Sequence, residues 1–250
     1  MASRPIVLLR GLLREQRHWG DFLTCLQRKL PERSLITLDI PGSGSLCTWK
    51  SPRSISGITE SLREQIKTHA ITGQLELVAI SMGGMIALDW MGRYPAEIAG
   101  SVLINTSVRP YSPFYWRLRW RNYAALLSLL WSSAEEREKR ILSLTSNRHN
   151  RNVLLLEQWI NWQQQNPVTA KNALRQILAA ATFKVSQRPE PPLLLIGSHS
   201  DRLVDYRCST TLATAWRIPY YEHPTAGHDL PLDEPQWLAD KVADWLLSLH

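Results

Sequence analysis

Short apolar runs recur along the chain at 5–9, 34–38, 75–80, 100–104, 192–196 and 217–221. Between them, near 18–30, 56–69, 83–94, 206–216 and 235–248, apolar residues return every three or four positions, the spacing of a helix with one buried face. Strand-length runs alternating with helices predict an α/β fold with a mainly parallel sheet of about six strands and helices on both faces. Pro235 suits the first turn of the last helix.

The rhythm stops over residues 108–182, where no strand pattern appears and several helices follow one another. Trp116, Trp120, Tyr123, Leu127 and Leu130 recur by threes and fours as one apolar stripe, with Arg117 and Arg121 on a neighbouring face. Ser133 and Glu136 have the spacing of a capping box that opens a second helix. Leu155, Trp159 and Trp162 mark a third, and Asn166-Pro167 stops it and starts a fourth containing Leu174, Ile177 and Leu178. The expected organisation is a core built from 1–107 and 183–250, with 108–182 as a helical insert rather than a domain with its own sheet.

Composition narrows this picture in two ways. No apolar stretch reaches the roughly 18 residues of a membrane span, and the run before Arg10 is too short for a signal-peptide core, so the expectation is a soluble cytoplasmic protein. The formal charge of +7 is localised: residues 108–182 hold 11 Lys and Arg against 4 Asp and Glu, and the remainder balances. No nucleic-acid recognition motif accompanies these cations, which disfavours a nucleic-acid partner. Cys25, Cys47 and Cys208 have neither metal-ligand spacing nor a disulfide framework and read as buried or incidental thiols.

The candidate chemistry begins at Ala79-Ile80-Ser81-Met82-Gly83-Gly84, between a strand-like and a helix-like run. A turn this tight needs small residues on both sides and holds one strained residue above the sheet edge, beside the unpaired N–H groups of a helix start. Ser81 there has the placement of a nucleophile. A nucleophile needs a base and a group that orients the base. Asp201 follows the run 193–196, with Asp205 as a second candidate acid, and His228 follows the last strand-like run.

With the order Ser, Asp, His, the chain resembles the α/β-hydrolase superfamily across almost its entire length. Arg10-Gly11-Leu12, with Trp19 beyond, resembles the family's His-Gly-x oxyanion loop, and Asp39-Ile40-Pro41-Gly42-Ser43-Gly44-Ser45 resembles its Asp-x-x-Gly-x-Gly-x-Ser turn. The resemblance implies a triad of Ser81, Asp201 and His228, an oxyanion hole from the backbone of Leu12 and Met82, a lid formed by 108–182, and no cofactor. Four departures stand out. Ala79 replaces the first elbow glycine, Arg10 stands where histidine is usual, Asp201 follows Gly197 by four positions rather than three, and the family's first two strands have no counterpart.

Other residues have two readings each. Trp116, Trp120, Trp131, Trp159 and Trp162 either wall an acyl pocket or fasten small helices to the core; Arg10, Trp116 and Trp120 are the substrate-binding candidates. Arg117, Arg119 and Arg121 form either a solvated face or a dock for an acidic partner such as an acyl carrier protein. His18, His69, His149 and His250 read as solvent-facing or capping, and His199, His223 and His228 match no metal-ligand signature, so no metal is expected. The functional expectation is a serine carboxylesterase resembling small esterases and pimeloyl carrier-protein methyl esterases, acting on a small acyl ester. Its alternatives are a carrier-protein thioesterase or methyl esterase, a lyase or carbon–carbon hydrolase with the same triad, and a non-catalytic binding protein. Oligomeric state is not legible.

Overall fold

The computed structural model describes residues 4–69, 71, 73–129 and 131–249, so Leu130 and His250 lie outside the described residues. Six strands, β1 (Ile6–Leu9), β2 (Leu35–Leu38), β3 (Leu75–Ile80), β4 (Ile98–Ile104), β5 (Leu193–Ser198) and β6 (Tyr220–His223), form one sheet in the order β2-β1-β3-β4-β5-β6. Every neighbouring pair is parallel, so the sheet is wholly parallel. Eleven helices of the described residues accompany it: α1 (Asp21–Lys29), α2 (Ile55–Lys67), α3 (Met82–Arg93), α4 (Phe114–Arg117), α5 (Tyr123–Ser128), α6 (Ala134–Thr145), α7 (Val153–Gln165), α8 (Ala170–Thr182), α9 (Arg207–Trp216), α10 (Leu230–Asp233) and α11 (Pro235–Leu247).

The period-2 geometry of the strands divides the core in two. Val7, Leu9, Leu77, Ala79, Leu103 and Leu195 point to one face, where α2, α3 and α9 cover them. Ile6, Leu8, Val78, Ile80, Val102, Leu194 and Ile196 point to the other, where α1 and α11 cover them. The inner strands are covered on both faces, which is why they read as mostly apolar runs; Glu76 of β3 is a buried exception and pairs with Arg33. A third cluster, Leu13, Leu129, Ile141, Leu142, Trp159, Val168 and Ala173, binds the insert helices to the loop after β1.

Several boundaries move for local reasons. The helix expected over 18–30 is a 3-10 turn, Gln16–Trp19, followed after Gly20 by α1. The run at 217–221 yields a strand only from Tyr220, because Arg217 ends α9 in the left-handed conformation at φ 52° and Pro219 separates the two elements. The single stripe expected from Trp116 onward is broken into α4, a 3-10 turn and α5, and Trp120 is left 64% exposed. The capping box at Ser133 and Glu136 opens α6, and Asn166 ends α7, while Thr169 caps α8.

Part of the basic excess of the insert is taken up by backbone carbonyls within it. Arg117 donates to the carbonyls of Ala180 (2.6 Å) and Ala181 (3.3 Å) at the end of α8, and Arg137 to those of Leu129 (3.2 Å) and Val168 (2.9 Å). The carbonyls of Ala180 and Ala181 are in the last turn of α8, where no further helical N–H reaches them, and the Arg117 guanidinium satisfies them instead. Arg119 and Arg148 pair with Asp205 and Glu234 of the core.

Candidate active site

The chain leaves β3 at Ile80 and enters α3 at Met82, and Ser81 makes the turn alone with φ 58° and ψ −120°. Its backbone is pinned on both sides: the N–H donates to Ile104 O (2.8 Å), and the carbonyl accepts from Thr106 Oγ1 (2.8 Å) and Gly84 N–H (3.0 Å). Close packing explains the small residues around it. A Cβ on Gly83 would lie 2.3 Å from Leu9 O, and a Cβ on Gly11 would lie 3.0 Å from Ser81 Cβ. The loop after β1 therefore lies against the elbow, and the Leu12 and Met82 N–H groups donate to no partner among the described residues.

Asp201 and His228 meet. His228 Nδ1 is 2.7 Å from Asp201 Oδ2, with both side chains buried, while Asp201 Oδ1 accepts from the N–H groups of Leu203 (2.7 Å) and Val204 (2.9 Å). The carboxylate is thus oriented by its own loop, and Nε2 of the ring is left for another partner. Asp205 does not compete. Both its oxygens accept from Arg207 (2.9 Å each), and that hydrogen bonding holds its carboxyl below the usual range. The unusual spacing from Gly197 is absorbed because β5 runs on to Ser198, whose carbonyl accepts from Asp201 N–H (3.2 Å).

Ser81 and His228 line one cavity of about 60 Å³, together with Arg10, Gly11, Leu12, Leu13, Arg14, Ile80, Leu126, Leu129, Ile141, Leu144, Thr145, Leu203 and Asp229. No hydrogen bond joins the Ser81 hydroxyl to the imidazole. The insert contributes Leu126 of α5, Leu129 just after it, and Ile141 and Leu144 of α6 to the lining. None of the five tryptophans lines the cavity. Trp131 is 82% exposed, Trp116 carries Arg207 over its ring at 4.2 Å, and Trp159 and Trp162 pack edge-on against His18. Trp116 and Trp120, expected at the substrate, do not line the cavity, where the insert contributes Leu126, Leu129 and Ile141.

Arg10 props the site. Its Nη1 and Nη2 donate to Asp229 Oδ1 (3.0 Å) and Oδ2 (2.6 Å), and the guanidinium lies over the Trp19 ring at 5.0 Å. This buried bidentate pair links the loop carrying Leu12 to the loop carrying His228. Sequence reading missed three further supports. Asn105 donates to His228 O (2.9 Å) and Ser198 Oγ (3.0 Å), Asp229 is the partner of Arg10, and Asp233 accepts from Gly227 N–H (2.7 Å), Asn147 N–H (2.9 Å) and Ser146 Oγ (2.5 Å). Only the position of Asp229 beside His228 could have drawn attention to it.

His18 is buried rather than solvent-facing, and of its two expected roles it takes the capping one, at the Gln16–Trp19 turn. Arg14 Nη1 lies 2.8 Å from the ring Nε2, and the backbone N–H and carbonyl of Glu15 each lie 3.2 Å from its Nδ1. Burial, aided by the neighbouring Arg14, Arg10 and Arg17 cations, holds this imidazole well below the usual histidine range. Glu15, whose own carboxyl burial pushes up, does not reverse this. The unfolded chain takes up a proton near pH 6.5 that the folded protein refuses. Stability is therefore expected to fall as pH drops from 6.5 towards 5, by up to about 1.4 kcal/mol per pH unit from this group. Urea midpoints across that window should show a shallower slope in His18→Gln; an unchanged slope would assign the pH dependence elsewhere.

Among the described residues no group of His, Cys, Asp and Glu has the arrangement of a metal site, and no helix is long and apolar enough to cross a membrane. Cys25 and Cys208 are buried, and burial pushes the Cys208 thiol up to about 12, so it carries no thiolate chemistry.

A sequence model of the alpha/beta hydrolase family matches residues 6–241. The chain is 24% identical to the biotin biosynthesis bifunctional protein BioHC of Teredinibacter turnerae, over 96% of this chain and 44% of that protein, so it spans less than half of that relative. Among solved structures it superimposes on the enol-lactonase of Burkholderia xenovorans LB400 with a TM-score of 0.81 at 18% identity, covering 98% of this chain and 92% of that one. A thermophilic esterase of Thermogutta terrifontis gives a TM-score of 0.74 at 20% identity, covering 100% and 91%. Likeness at these identities concerns the fold.

Proposed function

This chain belongs to the alpha/beta hydrolase family, and from that premise we propose that it hydrolyses short-chain carboxylic esters through an acyl-enzyme on Ser81. The observation that carries the reading is the 2.7 Å contact between His228 Nδ1 and Asp201 Oδ2 beside a cavity that also holds Ser81 in a strained turn.

His228 Nε2 takes the proton from Ser81 Oγ as the oxygen attacks the ester carbonyl carbon. The developing oxyanion accepts from the Leu12 and Met82 N–H groups, and one such donor typically contributes about 10²–10³ in turnover. Asp201 holds the proton on Nδ1 and stabilises the imidazolium. The carbon–oxygen bond to the alcohol then breaks, and the alkoxide leaves with the proton that Ser81 surrendered. A water delivers one proton to Nε2, attacks the acyl-enzyme and releases the acid, while the proton returns to Ser81. Because the lining from the insert is largely apolar and the cavity is about 60 Å³, turnover of p-nitrophenyl esters is expected to peak at acetyl to butyryl and to fall beyond hexanoyl. A maximum at octanoyl or longer would refute the short-chain assignment.

A second reading has its own support. On α8, Leu174 and Leu178 are 55% and 43% exposed and are flanked by Arg53, Lys171 and Arg175, a basic and apolar groove suited to an acidic helix such as one on an acyl carrier protein. The likeness to a biotin biosynthesis protein points the same way. Carrier-protein esters turned over no faster than the matching methyl ester would remove it.

A further inference from the structure

Resting on the ester-hydrolase reading, we propose that Arg14 binds an uncharged oxygen of the acyl group, so that the site selects short acyl esters bearing a keto or hydroxyl oxygen. Arg14 is only 6% exposed and forms part of the wall of the cavity that holds Ser81 and His228. Its Nη1 is engaged by Glu138 Oε2 at 2.6 Å and His18 Nε2 at 2.8 Å, and its guanidinium is 4.5 Å over the Trp159 ring. Its Nη2 is buried and has no acceptor. Buried donors are almost always paired, and an unpaired one on a side chain that forms part of the cavity wall is assigned here to a ligand.

Charge decides which oxygen. Glu138 neutralises Arg14, Asp229 neutralises Arg10, and His18 is neutral, so the wall offers no uncompensated cation. A carboxylate would bring a net charge against Leu126, Leu129, Ile141 and Leu203. A keto or hydroxyl oxygen takes the same hydrogen bond without that penalty. The preference separates this site from one that recognises plain alkyl esters by fit alone.

Binding is measured by calorimetry in Ser81→Ala, with ethyl acetoacetate, ethyl butanoate and monoethyl succinate as probes. Acetoacetate is expected to bind about tenfold more tightly than butanoate, the effect of one hydrogen bond from a charged donor, with succinate weakest. Adding Arg14→Met together with Glu138→Gln, which avoids leaving a buried carboxylate alone, should bring the acetoacetate to butanoate ratio close to one. Glu138→Gln without the Arg14 change keeps the donor and frees its charge, so monoethyl succinate should gain about tenfold. Equal binding of acetoacetate and butanoate, a ratio that survives the Arg14 change, or succinate binding best before Glu138 is changed would each overturn the proposal. Because binding is read without catalysis, a wild-type protein that turns over no ester sinks the hydrolase reading and leaves the Arg14 preference to be judged separately.

Discussion

Ser81→Ala is expected to lower kcat on p-nitrophenyl acetate by about 10⁵-fold or more, leaving only what the oxyanion donors and binding supply. The fold should survive this change, because the Ser81 carbonyl and N–H, which tie the elbow to Thr106, Gly84 and Ile104, are retained. Strain gives a second readout. At φ 58° and ψ −120° a residue with a Cβ carries about 1–3 kcal/mol of backbone cost, which glycine does not. Ser81→Gly should therefore be as inactive as Ser81→Ala and unfold at a higher urea concentration. Alanine retaining more than about a hundredth of the activity would exclude an acyl-enzyme on this residue. Glycine less stable than alanine would show that the turn holds no releasable strain.

The second large effect is expected at the Arg10–Asp229 pair. Arg10→Ala leaves a buried carboxylate without its two guanidinium bonds, a loss of about 3–5 kcal/mol where a buried pair is broken from one side. Turnover should fall as well, by about tenfold to a hundredfold, because the pair joins the loops that present Leu12 and His228. Arg10→Met combined with Asp229→Leu removes both charges together, so most of the stability should return. Turnover should not return with it, since apolar packing does not reproduce a bidentate geometry. Chemical denaturation and kcat measured on the same three proteins check this. A double variant that recovers activity in full would reduce the pair to a packing element, and Arg10→Ala with wild-type stability would refute its structural role.

Much of the architecture was legible because its causes are local. The runs at 75–80 and 192–196 are strands in the structure with starts within a residue, since a strand covered on both faces is mostly apolar, and the one buried charge there, Glu76, is paired with Arg33. The Ser133–Glu136 box and the Asn166 stop are local hydrogen-bond and backbone effects and appear where expected. The stripe from Trp116 failed for the converse reason. Helical spacing of large residues says that a face is apolar and not that the chain stays helical, and packing against α8 and the Asp205 loop breaks it into short turns.

What the order of residues determined unaided is where chemistry can reside: a serine between small residues at a strand-to-helix turn, an acid after the fifth apolar run and a histidine after the sixth. Each of these is a requirement on a few consecutive residues, so it is written in consecutive letters. The tertiary structure alone decided which acid meets the imidazole, why Arg10 stands where a histidine is usual, and which side chains line the cavity. Those outcomes depend on partners such as Asp229, 219 positions away from Arg10, and on competition such as that of Arg207 for Asp205. Periodicity fixes the face a residue presents, and only the folded chain fixes what that face meets.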